Sequence, residues 1–121
     1  LHKFLIVDDS FVIRRSLRHW IEGNAEWQVC GEAENGQIAL DKLDALCPDI
    51  VILDFQMPVM NGLEAARRIM TRSPHTAIVM FTLHPSSELM KAALDAGVKD
   101  VVSKTDRLAE HLTQAIQHIC H

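Results

Sequence analysis

Short apolar runs alternate with longer stretches of helical period along the whole sequence, and this alternation leaves few architectures open. Phe4-Leu5-Ile6-Val7, a run over about Gln28 to Ala33, Ile50-Val51-Ile52-Leu53, Ala77-Ile78-Val79-Met80-Phe81 and the short Val101-Val102 predict five strands. Their unbroken apolar character suits parallel strands covered on both faces. Helical stripes follow each in turn: Ile13, Leu17, Trp20 and Ile21; Ala39, Leu40, Leu43 and Leu46; Leu63, Ala66, Ile69 and Met70; Leu89, Ala93 and Ala96; and Leu108, Leu112, Ala115, Ile116 and Ile119. Ser10, Asn35-Gly36, Asn61-Gly62, Pro85-Ser86-Ser87 and Thr105 or Asp106 mark helix starts. Gly23-Asn24, Pro48, Ser73-Pro74 and Gly97 mark their ends. Right-handed crossovers between such units put helices on both faces of the sheet, so the expected fold is a three-layer αβα sandwich of (βα)5 type.

Length and composition set the limits. The 121 residues suit one domain over residues 1–121, with 48% hydrophobic and 23% charged residues to build a packed core and a solvated surface. Twelve Lys and Arg against sixteen Asp and Glu give a net charge of −4, which disfavours binding to a phosphate backbone by this domain. The apolar runs fall far short of the roughly 20 residues of a membrane span and the N-terminus lacks a signal-peptide pattern, so the expected location is cytoplasmic, away from membranes. Cys30, Cys47 and Cys120 form no CxxC pair, and we expect reduced thiols in the core.

In α/β folds of this kind chemistry gathers beyond the C-terminal strand ends. Strand one runs into Asp8-Asp9, strand three into Asp54, strand four into Thr82 and strand five, after Ser103, into Lys104. Each residue alone reads equally well as a helix cap or a loop residue. In the doubly wound strand order 2-1-3-4-5, however, strands one and three are neighbours, and Asp8, Asp9 and Asp54 share one crevice. Like charges that close oppose their own ionisation, and a hard divalent cation, best Mg²⁺, is the natural compensation. Three aspartates, one lysine and one Mg²⁺ sum to zero. Such a crevice suits phosphoryl transfer, with Asp54 as nucleophile, Mg²⁺ bridging it to the incoming group, and Lys104 and Thr82 holding the remaining oxygens.

These blocks resemble a known family. Leu5-Ile6-Val7-Asp8-Asp9-Ser10, Ile52-Leu53-Asp54-Phe55-Gln56-Met57-Pro58 with Asn61-Gly62, Met80-Phe81-Thr82 and Val102-Ser103-Lys104 are similar, in order, to the signatures of the receiver domain of two-component response regulators. The resemblance implies a flavodoxin-like (CheY-like) fold with Asp54 as phosphoacceptor. It implies Mg²⁺ held directly by Asp9, Asp54 and the main-chain carbonyl of Gln56, with Asp8 acting largely through water and Thr82 and Lys104 contacting the phosphoryl group. The implied donor is the phosphohistidine of a sensor histidine kinase, and the domain is a switch, not a metabolic enzyme. The runs Val29 to Gly36 and Met60 to Arg67 resemble NarL/FixJ-type transcription regulators. That points to output through a separate DNA-binding domain; the alternative is a stand-alone receiver that relays phosphate or docks on a protein.

The sequence also departs from that pattern. Val101 stands where receivers commonly carry Tyr or Phe, so a backbone or helix-face response is expected in place of an aromatic rotamer switch. Leu83 follows Thr82 where a small residue is usual, Gln56 and His84 occupy positions that tune phosphate lifetime, and Thr105 replaces the usual proline after Lys104, making a trans bond the expectation. Met90 and Leu94 lie on a different face of helix four from Leu89, Ala93 and Ala96, and we expect a phosphorylation-dependent contact, such as a homodimer, through the helix 4–strand 5–helix 5 face. His118, Cys120 and His121 are too irregularly placed at the chain end to read as a metal site. Gln56 argues against a haloacid-dehalogenase phosphatase, which has a second Asp there. A flavin binder is disfavoured by the three carboxylates and by the lack of a phosphate-cradling loop after strand one.

Overall fold

The computed structural model describes residues 2–104 and 108–120. Five strands and five helices alternate: β1 (His2–Val7), α1 (Phe11–Glu22), β2 (Trp27–Ala33), α2 (Gly36–Leu46), β3 (Ile50–Asp54), α3 (Gly62–Arg72), β4 (Ala77–Thr82), α4 (Ser87–Asp95), β5 (Asp100–Ser103) and α5 (Leu108–Cys120). All strand pairs are parallel, in the order β2-β1-β3-β4-β5. The order is the 2-1-3-4-5 expected of the doubly wound, CheY-like fold.

Strand alternation sorts the core into two layers. Leu5, Val7, Val51, Leu53, Ile78 and Met80 meet Ala39, Leu40 and Leu43 of α2, Ala65, Ala66 and Ile69 of α3 and Ala93 of α4. On the other face Phe4, Ile6, Ile50, Ile52, Val79 and Phe81 meet Leu17 and Ile21 of α1 and Leu112, Ala115 and Ile116 of α5. β3 and β4 are buried at every position, which is why their sequences carry no polar alternation. At the N-terminal end of the sheet, the Trp27 ring packs tilted at 5.3 Å from Phe4 and edge-on at 5.5 Å from Trp20.

Helix starts obey local rules. Ser10, Asn35, Asn61 and Ser86 are each extended and accept the N–H three residues on. The ends are less regular. Gly97 sits at φ +97° as a C′ glycine should, whereas Gly23 is right-handed at φ −70°. α2 ends on Cys47 at φ 47°, its N–H bonded to the Leu43 carbonyl at 2.8 Å.

That placement corrects one expectation. Cys47 is exposed, because the left-handed cap turns it away from the core. Cys30 is half-buried, its thiol donating to the Phe4 carbonyl at 3.3 Å and pushed above its ordinary pKa by burial. The Cys120 side chain lies outside the described residues, as do the expected cap at Thr105 or Asp106 and the Lys104–Thr105 peptide. β1 and β2 also begin earlier than their apolar runs, since main-chain pairing of His2 with Trp27 extends them past the point where side chains announce a strand.

Candidate functional site

The C-terminal ends of β1, β3, β4 and β5 open onto one pit. β1 stops at Val7, and its next residue is still tied to β2, the Asp8 N–H donating to the Ala33 carbonyl at 3.0 Å. The turn into α1 is tight because the Asp8 carboxylate folds back, Oδ1 accepting from the Ser10 N–H at 2.7 Å. Asp8 is thereby fully buried, while Asp9 is exposed at the rim.

Asp54 closes β3 and is 2% exposed. Its Oδ1 accepts the Gln56 N–H at 3.2 Å, and the exposed Gln56 side chain lies in the loop beyond. The Phe55 N–H donates to the Phe81 carbonyl at 3.0 Å, and the Gly62 N–H to the Phe55 carbonyl at 2.8 Å. Only glycine fits at the start of α3: a Cβ on Gly62 would stand 2.7 Å from Phe55 Cα and 2.8 Å from the Asp54 carbonyl oxygen. The helix thus packs directly on the strand end that carries the acid.

Thr82 ends β4, buried, with Oγ1 accepting the His84 N–H at 3.3 Å. The Lys104 N–H donates to the Thr82 carbonyl at 2.7 Å, which delivers the lysine into the pit. Its Nζ lies 3.0 Å from Asp54 Oδ1, 3.3 Å from Asp8 Oδ2 and 4.6 Å from the centre of the Phe81 ring. Ammonium, two acids and an aromatic face form one packed unit.

One lysine does not balance the charge. Burial pushes the Asp8 carboxyl up to about 6, opposed by the Ser10 N–H, reinforced by the Asp54 charge and opposed again by Lys104. Burial also raises Asp54, with the Lys104 hydrogen bond and charge pulling it back. Both acids therefore give up their protons less readily than free carboxyls, and a further cation would favour their charged forms. Carboxylate oxygens of Asp8, Asp9 and Asp54 all lie within 4.8 Å of one another. Opposite ligands of Mg²⁺ stand about 4.2 Å apart, so a small side-chain adjustment closes three hard oxygen donors on such an ion. The donor set fits Mg²⁺, and among the described residues it is the one such group of three ligating side chains.

The structure thus gathers Asp8, Asp9, Asp54, Thr82 and Lys104 at the mouth of the sheet, with Gln56 adjoining through its backbone. Leu83 is 55% exposed beside Thr82, and His84 is exposed. Val101 is half-buried against the α2–α3–α4 core layer. His118 is exposed on α5, while the Cys120 side chain and His121 lie outside the described residues. Sequence reasoning passed over Arg14, whose guanidinium donates to the Asp8 carbonyl at 2.7 Å and to Glu32 Oε1 at 3.0 Å. A faint signal was there: Arg14-Arg15 stand near the start of α1, where the helix dipole disfavours cations.

Comparison with known proteins agrees with this geometry. The family model described as response regulator receiver domain matches residues 4–117. The transcriptional regulatory protein YdfI of Bacillus subtilis is 39% identical over 104 residues, covering 86% of this chain and 48% of that protein. The chemotaxis protein CheY of Listeria monocytogenes is 37% identical over 116 residues, covering 93% of this chain and 97% of that protein. A LuxR-family two-component response regulator from Aurantimonas sp. SI85-9A1 superposes with a TM-score of 0.89 at 31% identity, over 97% of this chain and 83% of that one. The chain spans about half the length of the transcriptional regulator and nearly all of the chemotaxis protein. Fold, strand-end acids and family match converge: the chain belongs to the response regulator receiver domain family of two-component systems.

Proposed function

We propose that Asp54 accepts a phosphoryl group from the phosphohistidine of a sensor histidine kinase, in a Mg²⁺-dependent reaction, and that the phosphorylated domain switches an output. The observation that carries this reading is Lys104 Nζ at 3.0 Å from a buried Asp54 flanked by two further acids. Asp54 Oδ attacks phosphorus, the phosphorus–nitrogen bond breaks, and the donor imidazole keeps the electron pair. Lys104 holds the carboxylate ionised before attack and follows the charge onto the phosphoryl oxygens, with the Thr82 hydroxyl as a second donor. Mg²⁺, held by Asp9, Asp54 and the Gln56 carbonyl with Asp8 behind them, would supply the missing positive charge of the pit. The domain promotes its own phosphorylation and slow dephosphorylation and is not a metabolic enzyme.

The output we favour is transcription, through a DNA-binding domain separate from this chain; similarity to YdfI and to a LuxR-family regulator supports it. Similarity to a CheY protein supports a second reading, a stand-alone receiver that relays phosphate or docks on a protein. Met90 and Leu94 are 42% and 55% exposed on α4, Met90 lines an open groove of about 550 Å³ that reaches Val101 and His111, and this α4–β5–α5 face is where we place phosphorylation-dependent contact, including a homodimer. With such a kinase as donor, we place the domain in the cytoplasm; among the described residues no helix is long and apolar enough to cross a membrane.

Acetyl phosphate with Mg²⁺, followed by intact-mass measurement, tests the core claim. A phosphate-sized gain that disappears in Asp54→Ala is expected; a gain that survives it sinks the assignment. Size exclusion with and without beryllofluoride tests the dimer, which an unchanged monomer rules out.

A further inference from the structure

We infer that Arg14 is a positioning residue that pins the β1–α1 turn and so sets the affinity of the acidic pit for a divalent cation; the inference rests on reading Asp8 and Asp9 as part of a cation site. β1 ends at Val7, and its ladder to β3 ends with the pair Val7 and Leu53. The Asp8 carbonyl is therefore one residue past the sheet and needs another donor. Arg14 supplies it at 2.7 Å from the first turn of α1.

The arginine is itself held. Its Nε donates to Glu32 Oε1 at 3.0 Å, and Arg18 Nε donates to Glu32 Oε2 at 2.7 Å, so one β2 carboxylate clamps two guanidiniums of α1. Arg14 is 14% exposed and its guanidinium lies 5.8 Å from the centre of the Phe11 ring. Burial alone would raise the Glu32 carboxyl, but the hydrogen bonds and charges of Arg18 and Arg14 outweigh it and hold it below its ordinary value. Glu32 and Ala33 are neighbours on β2, and the Ala33 carbonyl accepts the Asp8 N–H. The two sides of Asp8 are thus tied to adjacent residues of β2, its N–H to Ala33 through the backbone and its carbonyl to Glu32 through Arg14. With both fixed, the carboxylates of Asp8 and Asp9 meet Asp54 without a search.

Position and charge make opposite predictions here. Removing a positive group beside a cation site tightens cation binding by electrostatics alone, whereas freeing the turn weakens it. The test is titration calorimetry with magnesium chloride on the 121-residue chain, its Arg14→Met and Arg14→Lys variants, and an Asp9→Asn control, with amide hydrogen exchange on the metal-free proteins. We expect Mg²⁺ binding about tenfold weaker in Arg14→Met, as for other residues that orient metal ligands. Arg14→Lys keeps the charge but reaches one partner only, so its affinity falls between the two, and it serves if Arg14→Met does not fold. Exchange at the Ser10 amide, which donates to Asp8, should be about tenfold faster in the metal-free variants than in the parent, by the same loss of pinning. Unchanged or tighter Mg²⁺ binding in the folded variants, or unchanged Ser10 exchange, overturns the inference; a merely structural arginine would lower the melting temperature alone. If the parent shows no Mg²⁺ binding that Asp9→Asn removes, the cation reading falls, and Ser10 exchange by itself decides whether Arg14 pins the turn.

Discussion

Lys104 Nζ lies 3.0 Å from Asp54 Oδ1 and 3.3 Å from Asp8 Oδ2, so a single ammonium bridges two buried carboxylates from different strands. It is the sole cation paired with either acid among the described residues. Replacing it with Met should slow phosphorylation by acetyl phosphate roughly 10²-fold, the usual loss when one transition-state donor is removed. The same variant should bind Mg²⁺ more tightly, since a competing charge is gone. An intact-mass time course and calorimetry read the two effects, and a variant that phosphorylates at the parental rate contradicts the role.

The acids of the pit make stability depend on pH in an unusual direction. The Asp8 carboxyl rises from its ordinary 3.8 to about 6 in the folded protein, so the folded state holds the proton more firmly than the unfolded chain. Its contribution to stability is present below about 3.8 and is lost as pH rises through about 6. The metal-free protein should therefore lose stability between about pH 4 and pH 7, with about 3 kcal/mol as the ceiling for the whole Asp8 shift. Mg²⁺ should restore it, and more so at the higher pH. Urea denaturation with Mg²⁺ or with a chelator measures this; a metal-free protein more stable at the higher pH is the contrary result.

Gly62→Ala should damage the site through the backbone. The added Cβ meets Phe55 Cα and the Asp54 carbonyl, neither of which is a flexible side-chain tip. A loss of about 2 kcal/mol is expected from overpacking, with slower phosphorylation because the Asp54 strand end must shift. Chemical denaturation and the mass time course report the two separately.

Val59 offers the opposite case. It stands at φ 72° and 81% exposed, at the centre of a γ-turn in which the Met60 N–H donates to the Pro58 carbonyl at 2.7 Å. A β-branched residue there is strained and packs on little. Val59→Asn should stabilise the protein by about 0.5–1 kcal/mol, since asparagine takes positive φ more readily than a β-branched residue. A denaturation midpoint that falls would show that Val59 makes contacts the strain argument omits.

What the sequence discloses follows from which forces shape each feature. Asp8, Asp54 and Lys104 were legible because apolar runs fix where strands end, and parallel topology then fixes which ends are neighbours. Thr82 came with them for the same reason. Arg14 was barely legible, because its partner at Asp8 is a main-chain carbonyl, and only its unfavourable place near the start of a helix hinted at it. The positive-φ positions show the same limit: Gly97 announces itself, whereas Cys47 and Val59 take positive φ without the residue type that signals it. Exposure of Cys47 followed from that backbone, not from its hydrophobicity.

The edge-on pair of Trp20 and Trp27 carries a practical consequence. These are the chain's two tryptophans, and Trp27 pairs with His2 at the strand end remote from the acids, about 20 Å from the pit along β2. Intrinsic fluorescence should therefore follow global unfolding while staying nearly blind to ion or phosphoryl occupancy. Folding and ligation can be read as independent signals from one unlabelled sample.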